Sequence, residues 1–157
     1  METTDRWASH RWDRTLDDEF VRIFLSLQWA QDRSITEARP LFIKHGLSGA
    51  EFDVLATLRN AEPPYRLTPK ELQDHVVLTS GGLTKIMMQL EARGWVKRSL
   101  DETDQRVKPV QLTAAGKRII EKAMADVVAA GGASLRARLS AGEIRTLTKL
   151  LEKLLAS

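Results

Sequence analysis

The sequence predicts a mostly α-helical chain with one small β-ribbon, and three observations lead there. Apolar residues recur at helical spacing through most of the 157 residues. Ser48, Thr68 and Ser140 each stand three residues ahead of a glutamate, the pattern in which a hydroxyl and a carboxylate satisfy each other's free backbone N–H at a helix start. Segments 95–100 and 107–112 are β-prone runs separated by Asp101-Glu102-Thr103-Asp104-Gln105-Arg106, a stretch with no apolar face to bury.

The elements follow in order. Residues 1–16 are polar and carry Trp7 and Trp12; they are read as a short extra helix or an arm. From Asp17 an amphipathic helix runs through Phe20, Ile23, Phe24, Leu27 and Ala30 toward Leu41 and Phe42. Pro40 is expected to kink or interrupt it, and Gly46 to end it. Ser48 opens a helix through Phe52, Val54, Leu55 and Leu58, and Glu62-Pro63-Pro64-Tyr65 is a loop. Thr68 then caps a helix with Pro69 at its first position, where a missing N–H costs nothing. After a short turn Thr79 or Ser80 opens another helix, with Gly94 as its C-terminal stop. The ribbon follows. Thr113 caps a helix through Ile119, Ile120, Met124 and Val127, which Gly131-Gly132 is expected to weaken or bend. Ser140 starts the last helix, with Ile144, Leu147, Leu151 and Leu154 on one stripe.

The helix opened by Thr79 points to a function. Its first turns hold Ser80, Gly81, Gly82, Thr84 and Lys85; its body holds Ile86, Met87 and Leu90. Small residues let the backbone come close to a ligand, a helix N-terminus offers N–H donors to phosphate, and a lysine adds charge. That combination suits insertion into a DNA major groove. Charge agrees. The whole chain is only +3, but residues 66–118 hold ten Lys and Arg against six Asp and Glu, a net of +4, whereas residues 1–19 are −3. With no cysteine there is no disulfide and no thiolate metal site. His10, His45 and His75 have no ligand spacing, so no metal or cofactor is expected. No apolar stretch has the length of a membrane span, and the first residues do not read as a signal peptide, so a cytoplasmic protein is expected. No nucleophile elbow, HExxH or dinucleotide fingerprint occurs, which argues against an enzyme.

The run Leu90-Glu91-x-Arg93-Gly94-Trp95-Val96, followed by Asp104-x-Arg106 and then Leu112-Thr113, resembles the signature of the MarR family of winged-helix regulators. The resemblance spans most of the chain, from about residue 17. It implies a single domain over 1–157: an extension at 1–16, a winged helix-turn-helix DNA-binding unit at 48–112, and dimerisation helices at 17–47 and 113–157. It implies that Asp104 orients Arg106 and that Arg106, at the wing tip, reaches a minor groove. Arg98 and Lys108 flank the tip. The expected DNA contacts are therefore Thr79, Ser80, Gly81, Thr84, Lys85, Arg98, Asp104, Arg106 and Lys108. The expected function is ligand-responsive, sequence-specific binding of double-stranded DNA by a homodimer, with repression of a pseudo-palindromic operator. A constitutive DNA-binding or architectural protein is the alternative.

Segments 45–59 and 64–69 resemble the urate-responsive branch of that family. The resemblance implies a small aromatic or anionic effector, with Asp53 at the branch's pocket aspartate and Trp7 or Trp12 as its N-terminal tryptophan; His45 and the nearby aromatic residues Phe24 and Phe52 complete the expected contacts. On chemistry alone the tryptophans suit packing, Asp53 suits solvent, and His45 suits a cation at a helix C-terminus. The branch also places arginines in the second helix where this chain has Ile86 and Gln89. The polar clamp for an anionic purine is incomplete, which implies a different ligand.

Overall fold

A computed structural model of the chain describes residues 19–76, 78–98 and 108–156. In chain order these form α1 (Glu19–Lys44), α2 (Gly49–Asn60), β1 (Arg66–Leu67), α3 (Pro69–His75), α4 (Ser80–Ala92), β2 (Val96–Arg98), β3 (Val110–Leu112), α5 (Ala114–Arg136) and α6 (Ala141–Leu155). The chain divides into two compact units between Thr36 and Glu37, within α1. No helix among the described residues is long and apolar enough to cross a membrane.

The caps set the element starts. Ser48, Thr68 and Ser140 all form reciprocal capping boxes, with Glu51, Glu71 and Glu143 returning a carboxylate to the cap backbone. Thr79 caps α4 by accepting from Gly82 N, and Thr113 caps α5 by accepting from Gly116 N. Two helices stop in the same way. In α1, Gly46 N donates to Ile43 O and Leu47 N to Phe42 O; in α4, Gly94 N donates to Glu91 O and Trp95 N to Leu90 O. Both glycines have positive φ, 66° and 68°, where a Cβ would clash with its own backbone. These are paired Schellman turns.

The core sits in the unit beginning at Glu37. Val54, Leu55 and Leu58 of α2, Leu72 of α3 and Leu90 of α4 are fully buried, with Val96, Val110 and Ile120 closing around them. Each such side chain contributes about 1.5–3 kcal/mol by leaving water.

Two expectations need correction. The ribbon is a three-stranded antiparallel sheet of order β1-β3-β2, because Arg66 and Leu67 pair with Gln111 and Val110. Trp95 precedes β2 and Lys108 and Pro109 precede β3, while residues 99–107 lie outside the described residues. Pro40 does not interrupt α1, which continues to Lys44. One proline removes one N–H, and the following turn is held by Phe42 in the core. Helix α5 continues through Gly131-Gly132 to Arg136. Beyond the glycines Ser134 Oγ donates to Glu37 Oε2 at 2.6 Å, and Arg138 Nη2 to Glu37 Oε1 at 3.1 Å. These contacts offset the weak propensity of the pair.

Candidate nucleic-acid interface

Helix α3 packs Leu72 inward and leads through a turn braced by Gln73 Nε2, which donates to Leu78 O. That turn delivers Thr79 to the start of α4. On α4, Leu83, Met87 and Leu90 face the core, three and four residues apart. The opposite face is set by exclusion. Ser80, Gly81, Thr84 and Lys85 are all exposed, as is Thr79. Thr84 Oγ1 donates to Ser80 O at 3.0 Å, leaving its methyl and an oxygen lone pair to solvent. A Cβ added at Gly81 meets nothing within 4 Å, so the fold does not require glycine there.

The ribbon base lies beside this face. Arg98 Nε is 3.4 Å from Glu91 Oε2, and both side chains are about one-third exposed, so the pair is loose and worth little to stability. Arg98 also lines a cleft of 310 Å³ with Lys70, Gln73, Ser80 and Thr84. Lys108 is exposed. Asp104 and Arg106 lie outside the described residues. One side chain escaped the sequence reading: Met88 is 63% exposed, one turn along the face from Thr84. The signal was present, since position 88 falls off the 83/87/90 stripe. A bare thioether on a polar face suits contact with a thymine methyl.

The expected effector residues fall in different parts of the chain. Trp7 and Trp12 lie outside the described residues. Phe24, in the first unit, is 43% exposed and stacks on Phe20 at 6.0 Å. His45 Nε2 is 2.9 Å from Asp126 Oδ2, and the same oxygen accepts from Lys44 Nζ at 2.7 Å. Those hydrogen bonds, Lys44 first and His45 second, hold the Asp126 carboxyl below the usual carboxylate range. Phe52 packs on Phe42, ring centroids 4.8 Å apart. Asp53 keeps an exposed edge, yet desolvation by the surrounding protein raises its pKa.

Arg93 carries structure that spacing did not suggest. Its Nη1 donates to Glu51 Oε1 at 3.0 Å and its Nη2 to Gly46 O at 2.8 Å, while the guanidinium lies over Trp95, 3.5 Å from the ring centroid. Glu51 is nearly buried and uses its other oxygen for the Ser48 cap, so its charge is fully partnered.

Known proteins share this sequence pattern and fold. A sequence profile of the MarR family matches residues 45–107. The HTH-type transcriptional regulator PecS of Dickeya dadantii (strain 3937) is 30% identical over 128 residues, covering 78% of this chain and 73% of that protein. The multiple antibiotic resistance protein MarR of Escherichia coli (strain K12) is 34% identical over 109 residues, covering 69% of this chain and 74% of that one. A crystal structure of a cysteine mutant of E. coli MarR complexed with operator DNA superposes with a TM-score of 0.77 at 27% identity, covering 90% of this chain and 99% of that one. These relatives are transcription regulators rather than enzymes. The chain belongs to the MarR family of winged-helix, DNA-binding transcription regulators.

Proposed function

We propose that the protein is a ligand-responsive repressor that binds a pseudo-palindromic operator as a homodimer. The observation that carries the DNA reading is the exposed start of α4: Ser80, Gly81, Thr84 and Lys85 share one face, and open space surrounds Gly81. That is the shape a helix needs to approach base edges closely. Arg98 and Lys108 at the ribbon, with Asp104 and Arg106 from the sequence signature, supply the proposed wing contact. Residues 48–112 act as the DNA-binding unit.

Segments 17–47 and 113–157 are the proposed dimerisation helices. Helix α6 supports this: it buries no residue, and Leu147, Leu150, Leu154 and Leu155 are 43%, 60%, 62% and 81% exposed. Phe20 and Ile23 of α1 are 70% and 54% exposed. Apolar faces of this kind are usually covered by a partner. A two-fold dimer presents two copies of α4 to successive major grooves, about 34 Å apart.

The proposed effector is a small aromatic or anionic compound, in keeping with the urate-responsive branch but distinct from urate. Ile86 packs against the core and brings no charge. Asp53 supports the proposal, being desolvated and without a partner among the described residues. His45 and Phe52 are engaged within the fold, which favours the constitutive alternative for that part of the site. Selection of duplexes from a random-sequence library tests the function. The reading predicts enrichment of an inverted repeat with half-sites about one helical turn apart. Enrichment of no motif refutes sequence-specific binding. A thermal-shift screen of aromatic acids and purines separates the two readings, since any ligand preferring the native state raises the melting temperature.

A further inference from the structure

The turn between α1 and α2 is gripped from two sides. From α5, Asp126 Oδ2 takes both Lys44 Nζ and His45 Nε2, at 2.7 and 2.9 Å. From the trailing end of α4, Arg93 donates to Gly46 O at 2.8 Å and to Glu51 Oε1 at 3.0 Å. Glu51 Oε2 in turn accepts from Ser48 N at 2.8 Å and from Ser48 Oγ at 3.0 Å. The five residues 44–48 are thus fixed between α5 and the C-terminal end of α4, the helix proposed to read DNA.

We infer that Arg93 and Asp126 are positioning residues for DNA recognition: through the Lys44–Ser48 turn they set the angle at which α4 and the ribbon meet a duplex. The inference rests on the DNA reading proposed above. Three features of the contact chain support it. The turn is stiff, because its Schellman hydrogen bonds fix Gly46 and Leu47 on the end of α1. Arg93 is the Ccap residue of α4, next to Gly94 in the second Schellman turn, so tension on its side chain acts directly on the helix axis. And the guanidinium face lies on Trp95, the residue just before β2. Trp95 O accepts Thr113 N and Thr113 Oγ1, at 3.0 and 3.1 Å, so recognition helix, ribbon base and α5 start converge within two residues of Arg93. The planar fork matters. A carbonyl and a carboxylate are held from adjacent nitrogens while the π-face stacks, a geometry lysine does not reproduce.

Neither side chain lies on the exposed face of α4, so a loss of DNA affinity through them is indirect. The test uses the full-length chain, a duplex enriched from a random library by the parent, and a random-sequence duplex of equal length. Affinities are measured by fluorescence anisotropy at fixed salt, alongside melting temperature. Asp126→Asn and Arg93→Lys are each expected to weaken binding to the enriched duplex by roughly three- to thirtyfold, the range for residues that modulate a distant site. Binding to the random duplex, which depends on charge, should hold within about twofold. The double substitution should weaken specific binding no more than the larger single one, because both act through one turn. Losses that multiply in the double variant overturn the relay, as does a fall in melting temperature with the affinity ratio unchanged. Lys85→Ala separates the inference from its foundation. If it weakens both duplexes while Asp126→Asn weakens neither, DNA reading stands and the relay falls. If Lys85→Ala weakens neither duplex, the DNA-reading face itself is misassigned, and the relay falls with it. Should Arg93→Lys fail to fold, Asp126→Asn decides through amide exchange at Trp95–Lys97, which the relay predicts to accelerate and a local surface pair leaves unchanged.

Discussion

Gly116→Ala should be among the most damaging single-methyl changes in this chain. A Cβ at Gly116 falls 2.0 Å from Trp95 O, 2.9 Å from Trp95 C and 2.9 Å from Leu112 Cδ1. A carbon and an oxygen need more than 3 Å, so the overlap exceeds about 1 Å, and the obstructing atoms are mainly backbone. Relief requires the first turn of α5 to back away from the ribbon base. That movement strains the bonds by which Thr113 N and Thr113 Oγ1 donate to Trp95 O, and the one by which Gly116 N donates to Thr113 Oγ1. Overpacking of this kind costs about 1–3 kcal/mol. Each weakened hydrogen bond adds about 0.5–1.5 kcal/mol. Alanine returns about 1 kcal/mol through helix propensity. The net expectation is a loss of about 2–4 kcal/mol, large against the total stability of a small domain. Gly131→Ala is the internal control: the same helix, the same chemistry, and nothing within 4 Å of the new carbon. It should gain about 0.5–1 kcal/mol. Urea unfolding followed by circular dichroism at constant protein concentration measures both. A Gly116→Ala variant as stable as Gly131→Ala would show that the close approach of α5 to Trp95 is not as described.

Other outcomes follow from the site and its ionisable groups. Lys85→Ala should lower the slope of log affinity against log salt by about 1 if the lysine meets phosphate; an unchanged slope and affinity remove it from the interface. Deleting residues 140–157 uncovers the proposed interface and should give monomer or aggregate, read by sedimentation velocity; a full-length chain that stays a folded monomer at micromolar concentration counts against the dimer. Glu143 is held below its ordinary value of 4.5 by hydrogen bonds from the Ser140 side chain and then its backbone, and Glu71 likewise by the Thr68 backbone and then its side chain. A carboxyl depressed on folding stabilises above its unfolded pKa and loses that contribution as pH falls through the folded value. Melting temperature should therefore decline below about pH 4.5, and Glu143→Gln should shrink the decline. Asp53 runs the other way: its pKa is raised from 3.8 by desolvation, so its ionisation costs stability above the folded pKa and the cost disappears in acid. Asp53→Asn should melt slightly higher than the parent at neutral pH, with the difference closing as pH approaches 3; a destabilised variant at neutral pH refutes it.

Local chemistry was readable; contacts between distant segments were not. Ser48, Thr68 and Ser140 cap where their spacing to a glutamate places them, because a capping box needs only four residues. The exposed face of α4 was readable for a related reason, since the 83/87/90 stripe fixes what points away from the core. Strand β1 was not, being two residues long and defined only by pairing with β3, more than 40 residues away. Pro40 misled because propensity is a local quantity, and the burial of Phe42 just beyond it outweighs the lost N–H. Arg93 stood within the family signature, but its bracing role could not be read there, as its partners Gly46 and Glu51 stand 47 and 42 residues upstream. The proposed effector residues were hardest to read. A histidine that titrates against a ligand and one that pairs with Asp126 look the same in sequence.

The open space around Gly81 has an evolutionary consequence. Ser80, Gly81, Thr84 and Lys85 carry almost none of the packing that holds the domain together, while Leu83, Met87 and Leu90 carry it from the same helix. Selection can therefore act on the two faces separately. On the proposed DNA reading, a duplicated copy of this gene can exchange the outward residues for others and acquire a new target, with no stability debt to repair first. The inward residues confine that drift to one scaffold. A regulator built this way diversifies by repainting one surface of a single helix.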